Sequence, residues 1–169
     1  MVAGMRSYLA ASGINVADAV GNGSLMLSSD RPHLVSGHFD AECMLRALED
    51  AVNQALRDGY VGLWATGDMT WEIGAKKEMS KLLEYEWRLE GLFRSQPCLS
   101  GVCQYHADTM PQDAVREGLL THQSIFINET LSRLNPHHAT RQNGSSKALP
   151  RDLDSLIEQL CRQDSVKSV

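Results

Sequence analysis

No apolar run in this chain approaches the ~20 residues that a membrane-spanning helix needs. The opening residues, Met1-Val2-Ala3-Gly4-Met5-Arg6, lack the charged start and the long apolar stretch of a signal peptide. The expected compartment is therefore the cytoplasm, and no membrane is expected as a partner. None of the four cysteines, Cys43, Cys98, Cys103 and Cys161, forms a CxxC pair, and they read as reduced thiols. Basic residues are in deficit, with 16 Lys and Arg against 21 Asp and Glu and a formal net charge of −5. This argues against direct nucleic-acid binding, because phosphate contacts need a basic face. Neither GxGxxG nor GxxxxGK followed by Ser or Thr occurs, so no phosphate cradle of a recognised kind is present. The six histidines include no HxxxH spacing, and neither a metal nor a cofactor is expected.

What is present is ordinary globular usage, with 43% apolar and 22% charged residues in 169. A chain of this length buries about two-thirds of its unfolded surface and needs no staple. Short helices are expected near the N-terminus, broken at Ser12-Gly13, with a turn at Gly21-Asn22-Gly23 and a strand over Ser24-Leu25-Met26-Leu27-Ser28. A loop follows, over 30–38. Asp40 is placed to cap a helix whose stripe is Met44, Leu45, Leu48, Val52, Ala55 and Leu56, and Gly59 ends it. The apolar run Tyr60-Val61-Gly62-Leu63-Trp64-Ala65-Thr66 predicts a strand of a parallel sheet buried on both faces. A helix over 77–94, a strand over 98–103, a helix over 112–121 and a strand over 124–127 continue the rhythm. The polar stretch 137–149, with Asn143-Gly144-Ser145-Ser146, reads as a linker that leaves His137-His138 solvated. A last amphipathic helix carries Leu153, Leu156, Ile157 and Leu160. The expected organisation is an α/β domain over 1–136, the linker over 137–149, and a helix and tail over 150–169.

Ligands of open parallel sheets bind outside the carboxyl ends of the strands. Two such ends here are polar. Gly67, Asp68, Met69, Thr70 and Trp71 combine a conformationally free glycine, an acceptor, a hydroxyl and apolar walls. The same residues also suit a capped strand–helix turn. Cys103, Gln104, Tyr105 and His106 bring a thiol, an amide, a phenol and an imidazole to the same edge. Cys103 also reads as core filler, and a Cys103/His106 nucleophile pair lacks an orienting acid. Glu86 falls on the apolar stripe of Met79, Leu82, Leu83, Leu89 and Phe93, so it is paired, protonated or lining a cavity, or else it sits at the edge of the stripe and reaches outward. Glu84 and Glu90 read as solvated.

The run from Gly37 to about Asn135 resembles the MEDS domain, the methanogen/methylotroph sensory domain named partly from a dehalogenase regulator. The resemblance rests on Phe39-Asp40, Arg57-Asp58-Gly59-Tyr60-Val61-Gly62-Leu63, Thr66-Gly67-Asp68-Met69-Thr70-Trp71, Leu82-Leu83-Glu84-Tyr85-Glu86 and Cys103-Gln104-Tyr105, in that order. It implies a sensory module of prokaryotic signalling that binds a small organic molecule and regulates a partner protein. It also implies a three-layer fold distantly like the RecA/KaiC core. Relatives begin with a further strand–helix–strand block that is expected to be absent here, and they carry Asp where this chain has His106. The resulting expectation is a non-catalytic, ligand-binding α/β domain with a mainly parallel sheet flanked by helices. The alternatives are a RecA/KaiC-like nucleotide-binding protein, or an interaction module that forms a homodimer, for which the C-terminal helix would suit.

Overall fold

The computed structural model describes residues 2–27, 34–35, 38–70, 79–127, 131–135, 137–138 and 151–162. The chain divides into two compact units, Met1–Gly37 and His38–Val169. The first contains α1 (Val2–Ala11), α2 (Val16–Gly21) and the short β1 (Leu34–Val35). The helices break where the sequence predicts, and Asn15 caps α2 by accepting the Asp18 N–H at 3.3 Å. The strand expected from Ser24 does not form through Leu27. Its donors are taken locally: the Leu25 N–H goes back to the Ala19 carbonyl at 2.9 Å and the Ser24 N–H to Asn22 Oδ1 at 3.0 Å. Ser28 lies outside the described residues.

The second unit runs β2 (His38–Phe39), α3 (Ala41–Arg57), β3 (Leu63–Asp68), α4 (Met79–Ser95), β4 (Leu99–Gln104), α5 (Gln112–Thr121), β5 (Ser124–Ile127), β6 (Leu131–Leu134) and α6 (Leu153–Arg162). It is an α/β fold, as the alternation of helical and strand patterns implies. Asp40 caps α3 by accepting the Cys43 N–H at 2.9 Å, satisfying a donor that the first helical turn leaves free. Gly59 closes α3 at φ 91°, where a side chain would be strained.

β3 starts three residues later than the apolar run suggests, and the helix end is the reason. The Tyr60 N–H is spent on the Ala55 carbonyl at 3.0 Å, and Val61 is 96% exposed. Pairing begins only where Leu63 N–H reaches the Cys98 carbonyl at 2.8 Å. Gly62 permits this approach: a Cβ there would lie 2.3 Å from the Cys98 oxygen, which no L-side chain tolerates.

β3 and β4 pair in parallel, Leu63 opposite Leu99 through Asp68 opposite Gln104. β5 and β6 form a separate antiparallel ribbon, Ser124 opposite Leu134, and β6 was not anticipated. The expectation of a strand buried on both faces is corrected, because β3 alternates and Trp64 is 65% exposed.

The main core is built from Leu45 and Val52 of α3, Leu82, Tyr85, Leu89 and Leu92 of α4, and Leu99 of β4. Phe39 packs edge-on against Tyr85, with ring centroids 5.4 Å apart. A second cluster joins Leu120 and Ile125 to Leu156 and Leu160 of α6. The apolar face of α6 is thus spent within its own unit, with Leu153, Leu156 and Leu160 all buried, and is not the free docking face that the pattern suggested. Of the expected linker only His137 and His138 are described; His138 is buried, not solvated. Among the described residues, no helix is long and apolar enough to cross a membrane.

Candidate functional site

The parallel register sets Gly67 opposite Cys103 and Asp68 opposite Gln104, and the Met69 N–H extends the ladder to the Gln104 carbonyl at 2.9 Å. Both polar strand ends therefore lie at one sheet edge. Side chains alternate across a strand, and this sorts them. Cys103 and Tyr105 both reach Glu86 of α4, while Gln104 and His106 are exposed. Two groups result: an interior cluster around Glu86 and an outer one around Asp68.

Glu86 has no exposed surface. A carboxylate in that position must be compensated, and it is met from three directions. The Tyr105 hydroxyl donates to its Oε1. The Cys103 thiol donates to Oε2 at 3.5 Å, and His122 Nε2 lies 3.0 Å from the same oxygen. His122 follows directly on α5, and its Nδ1 lies 3.6 Å from Glu90 Oε2. Glu90, one turn beyond Glu86, also lies 3.9 Å from Arg94 Nη2 and 4.0 Å from His138 Nε2. His138 in turn stacks on Trp87, with ring centroids 6.4 Å apart. Expectation placed Glu90 and His138 in solvent; both are buried in this network.

The charges follow from these contacts. Burial works against a charged His122, but the Cys103 sulfur and the Glu86 and Glu90 carboxylates outweigh it and hold the imidazole well above an ordinary histidine. Burial raises Glu90, yet His122, followed by His138 and Arg94, brings it below the usual glutamate range. His138 is lowered chiefly by burial, the direction opposite to that of His122.

Two supports fix the interior cluster. Gly118 of α5 leaves room for the Tyr105 ring, since a Cβ there would stand 2.5 Å from ring carbon Cζ. Asn135 donates from Nδ2 to the Leu119 carbonyl at 2.6 Å and the His122 carbonyl at 2.9 Å, tying down the end of α5.

The outer cluster is smaller. Asp68 Oδ1 accepts from the Thr70 N–H at 3.0 Å and the Thr70 hydroxyl at 2.6 Å, and Oδ2 lies 3.6 Å from His106 Nε2. Asp68 thus closes a tight turn just past β3 through Thr70, with an imidazole added. Met69 is buried in the core, and a Cβ at Gly67 would meet only the Met69 sulfur at 3.5 Å. Trp71 lies outside the described residues.

Burial pushes Asp68 up, but the two Thr70 donors and His106 prevail and hold it below its ordinary 3.8. A carboxylate depressed in the folded state stabilises above its unfolded pKa, and that contribution is lost as pH falls through the folded pKa. Asp68→Asn is therefore expected to lower stability at pH 7 while narrowing its difference from the parent chain on acidification below about pH 4. Urea midpoints of both proteins across that range test it, and a constant difference would refute it.

Cys103 thus does not pair with His106. The thiol faces Glu86 and His122, while His106 faces Asp68. Glu86, Cys103 and His122 each offer a ligand atom, and these three atoms lie within 4.8 Å of one another. They come from α4, β4 and the end of α5, so no local spacing could reveal them. Elsewhere, an open groove between α3 and α4 is lined by Glu42, Arg46, Glu49 and Arg88, where Glu42 pairs with both arginines.

Residues 1–123 match a family model described as MEDS, the methanogen/methylotroph, DcmR sensory domain. The match starts at residue 1, whereas the motif-bearing stretch starts at Gly37, and it ends one residue after His122. Comparisons with curated proteins and with solved structures give no match.

Proposed function

The chain belongs to the MEDS sensory family, and from that premise we propose that it is a non-catalytic sensor whose sheet edge binds a small organic molecule and passes the binding state to a signalling partner. The observation that carries this reading is the interior cluster of Glu86, Cys103, Tyr105 and His122, placed beside a strand end. Through Glu90 and His138 this cluster extends into one network of two carboxylates, a thiol and two imidazoles, a combination that ordinary cores seldom gather. Ligand pockets combine apolar walls with a few convergent polar groups, and perturbed ionisable groups gather at such sites. The Tyr105 ring supplies apolar surface, and the polar atoms supply orientation. A ligand acts as a signal only to the extent that it prefers one of two states of these elements.

A thermal-shift screen tests the proposal. One arm carries short-chain alcohols, acids, amines and halogenated methanes, and the other carries nucleotides with magnesium. At a hundred times Kd a ligand adds about 2.7 kcal/mol, or roughly 5–10 °C for a chain of this size. An organic response is expected, and Tyr105→Phe, which removes only the hydroxyl, should diminish it. A response confined to magnesium nucleotides and lost in Asp68→Ala would replace this reading with nucleotide binding.

A further inference from the structure

We propose that Glu86 Oε2, Cys103 Sγ and His122 Nε2 form a three-ligand site for a zinc-class divalent metal ion, with a fourth position left to an exogenous group. The separations support this. Bonds of 2.0–2.3 Å in a tetrahedral shell set neighbouring ligand atoms about 3.3–3.7 Å apart. Glu86 Oε2 stands 3.5 Å from Cys103 Sγ and 3.0 Å from His122 Nε2, and the Cys103 and His122 donors lie within 4.8 Å of each other, so the three can converge on one ion.

The imidazole supplies an independent observation. His122 Nε2 is enclosed, yet it makes no well-directed hydrogen bond among the described residues, although a carboxylate oxygen is 3.0 Å away. A buried ring nitrogen without a directed partner is costly. An ion between the three donors would give it one.

The atoms behind the donors fit the same reading. Metal-bound histidines usually turn their other nitrogen to a carboxylate, and bound carboxylates are themselves hydrogen-bonded. Here His122 Nδ1 faces Glu90 at 3.6 Å, and the Tyr105 hydroxyl holds the second oxygen of Glu86.

The donor set also selects the ion. Sulfur, nitrogen and one carboxylate oxygen suit zinc, cobalt or ferrous iron, whereas calcium and magnesium require oxygen shells. A thiolate and a carboxylate balance the two positive charges. Binding requires the thiolate and a bare Nε2, so protons are released to solvent. Three protein ligands are the number found where a site keeps an exchangeable position. The site does not depend on the sensory reading, which stands or falls on the organic screen.

The test is a cobalt titration of the full chain, previously stripped with chelator and kept reduced. The expected result is one equivalent bound per chain, a sulfur-to-cobalt charge-transfer absorption in the near ultraviolet, tetrahedral visible bands and a raised melting temperature. Cys103→Ser should remove the charge-transfer absorption, while Cys43→Ser and Cys161→Ser, at exposed thiols, should leave it unchanged. Glu90→Gln should preserve the spectrum and weaken binding roughly 10–100-fold. A folded parent chain that binds no cobalt overturns the proposal. So does a charge-transfer absorption that survives Cys103→Ser or disappears with Cys43 or Cys161.

Discussion

Glu86→Ala is expected to cost about 3–5 kcal/mol, the range found when one partner of a buried ion pair is removed and the other stays behind. Two effects add. The charged His122 loses the nearer of its two carboxylates, and the Tyr105 hydroxyl loses its acceptor in the interior. A cavity replaces the side chain of a residue that has no exposed surface. Glu86→Gln separates the contributions. It keeps the volume and an acceptor for Tyr105 but gives up the charge, so its loss should be clearly smaller than that of Ala. Urea unfolding at pH 7 gives both values. Equal losses would mean that charge, rather than volume and hydrogen bonding, accounts for the whole effect. A loss below about 1 kcal/mol for Ala would place Glu86 at the surface.

Gly118→Ala is the second large effect. Alanine is the better helix former by about 1 kcal/mol, so an exposed α5 position would gain from the change. At this position the added Cβ would lie 2.5, 2.6 and 2.9 Å from the Tyr105 ring carbons Cζ, Cε1 and Cε2. The ring has little freedom to retreat, because its hydroxyl is held by Glu86. Overpacking typically costs about 1–3 kcal/mol, and a net loss is expected. The decisive measurement is a double-mutant cycle with Tyr105→Ala. Once the ring is gone, the cost of Gly118→Ala should vanish or reverse, because the two substitutions act on one contact. A neutral Gly118→Ala in the parent chain would show that Tyr105 does not pack under α5.

Local signals in the sequence were good guides to the helices, because each signal has a local cause. The stripe and cap of α3, the bounds of α5 and the strand β5 all depend on neighbours within a few positions. Where a boundary moved, competition for backbone hydrogen bonds moved it. The close of α3 takes the Tyr60 N–H and delays β3, and the end of α2 takes the Leu25 N–H from an expected strand. β6 has only four residues and gains its place through pairing with β5, which composition does not show.

The site was half legible for the same reason. Glu86 was visible because it interrupts an apolar stripe, and Cys103 and Tyr105 because they end a strand. Glu90 carries a weaker signal: it is one turn from Glu86 and therefore shares its face. His122 had none. It is 36 positions from Glu86, and only the packing of α5 against α4 joins them.

The tie from Asn135 to the backbone at His122 has one more consequence. Sequence similarity draws its border at residue 123, just past the last of the three donor residues. The brace that aims that donor lies twelve positions further on. Heritage and mechanics thus have different borders in this chain. A fragment trimmed to the recognisable module would carry every donor and yet lose the aim of one of them.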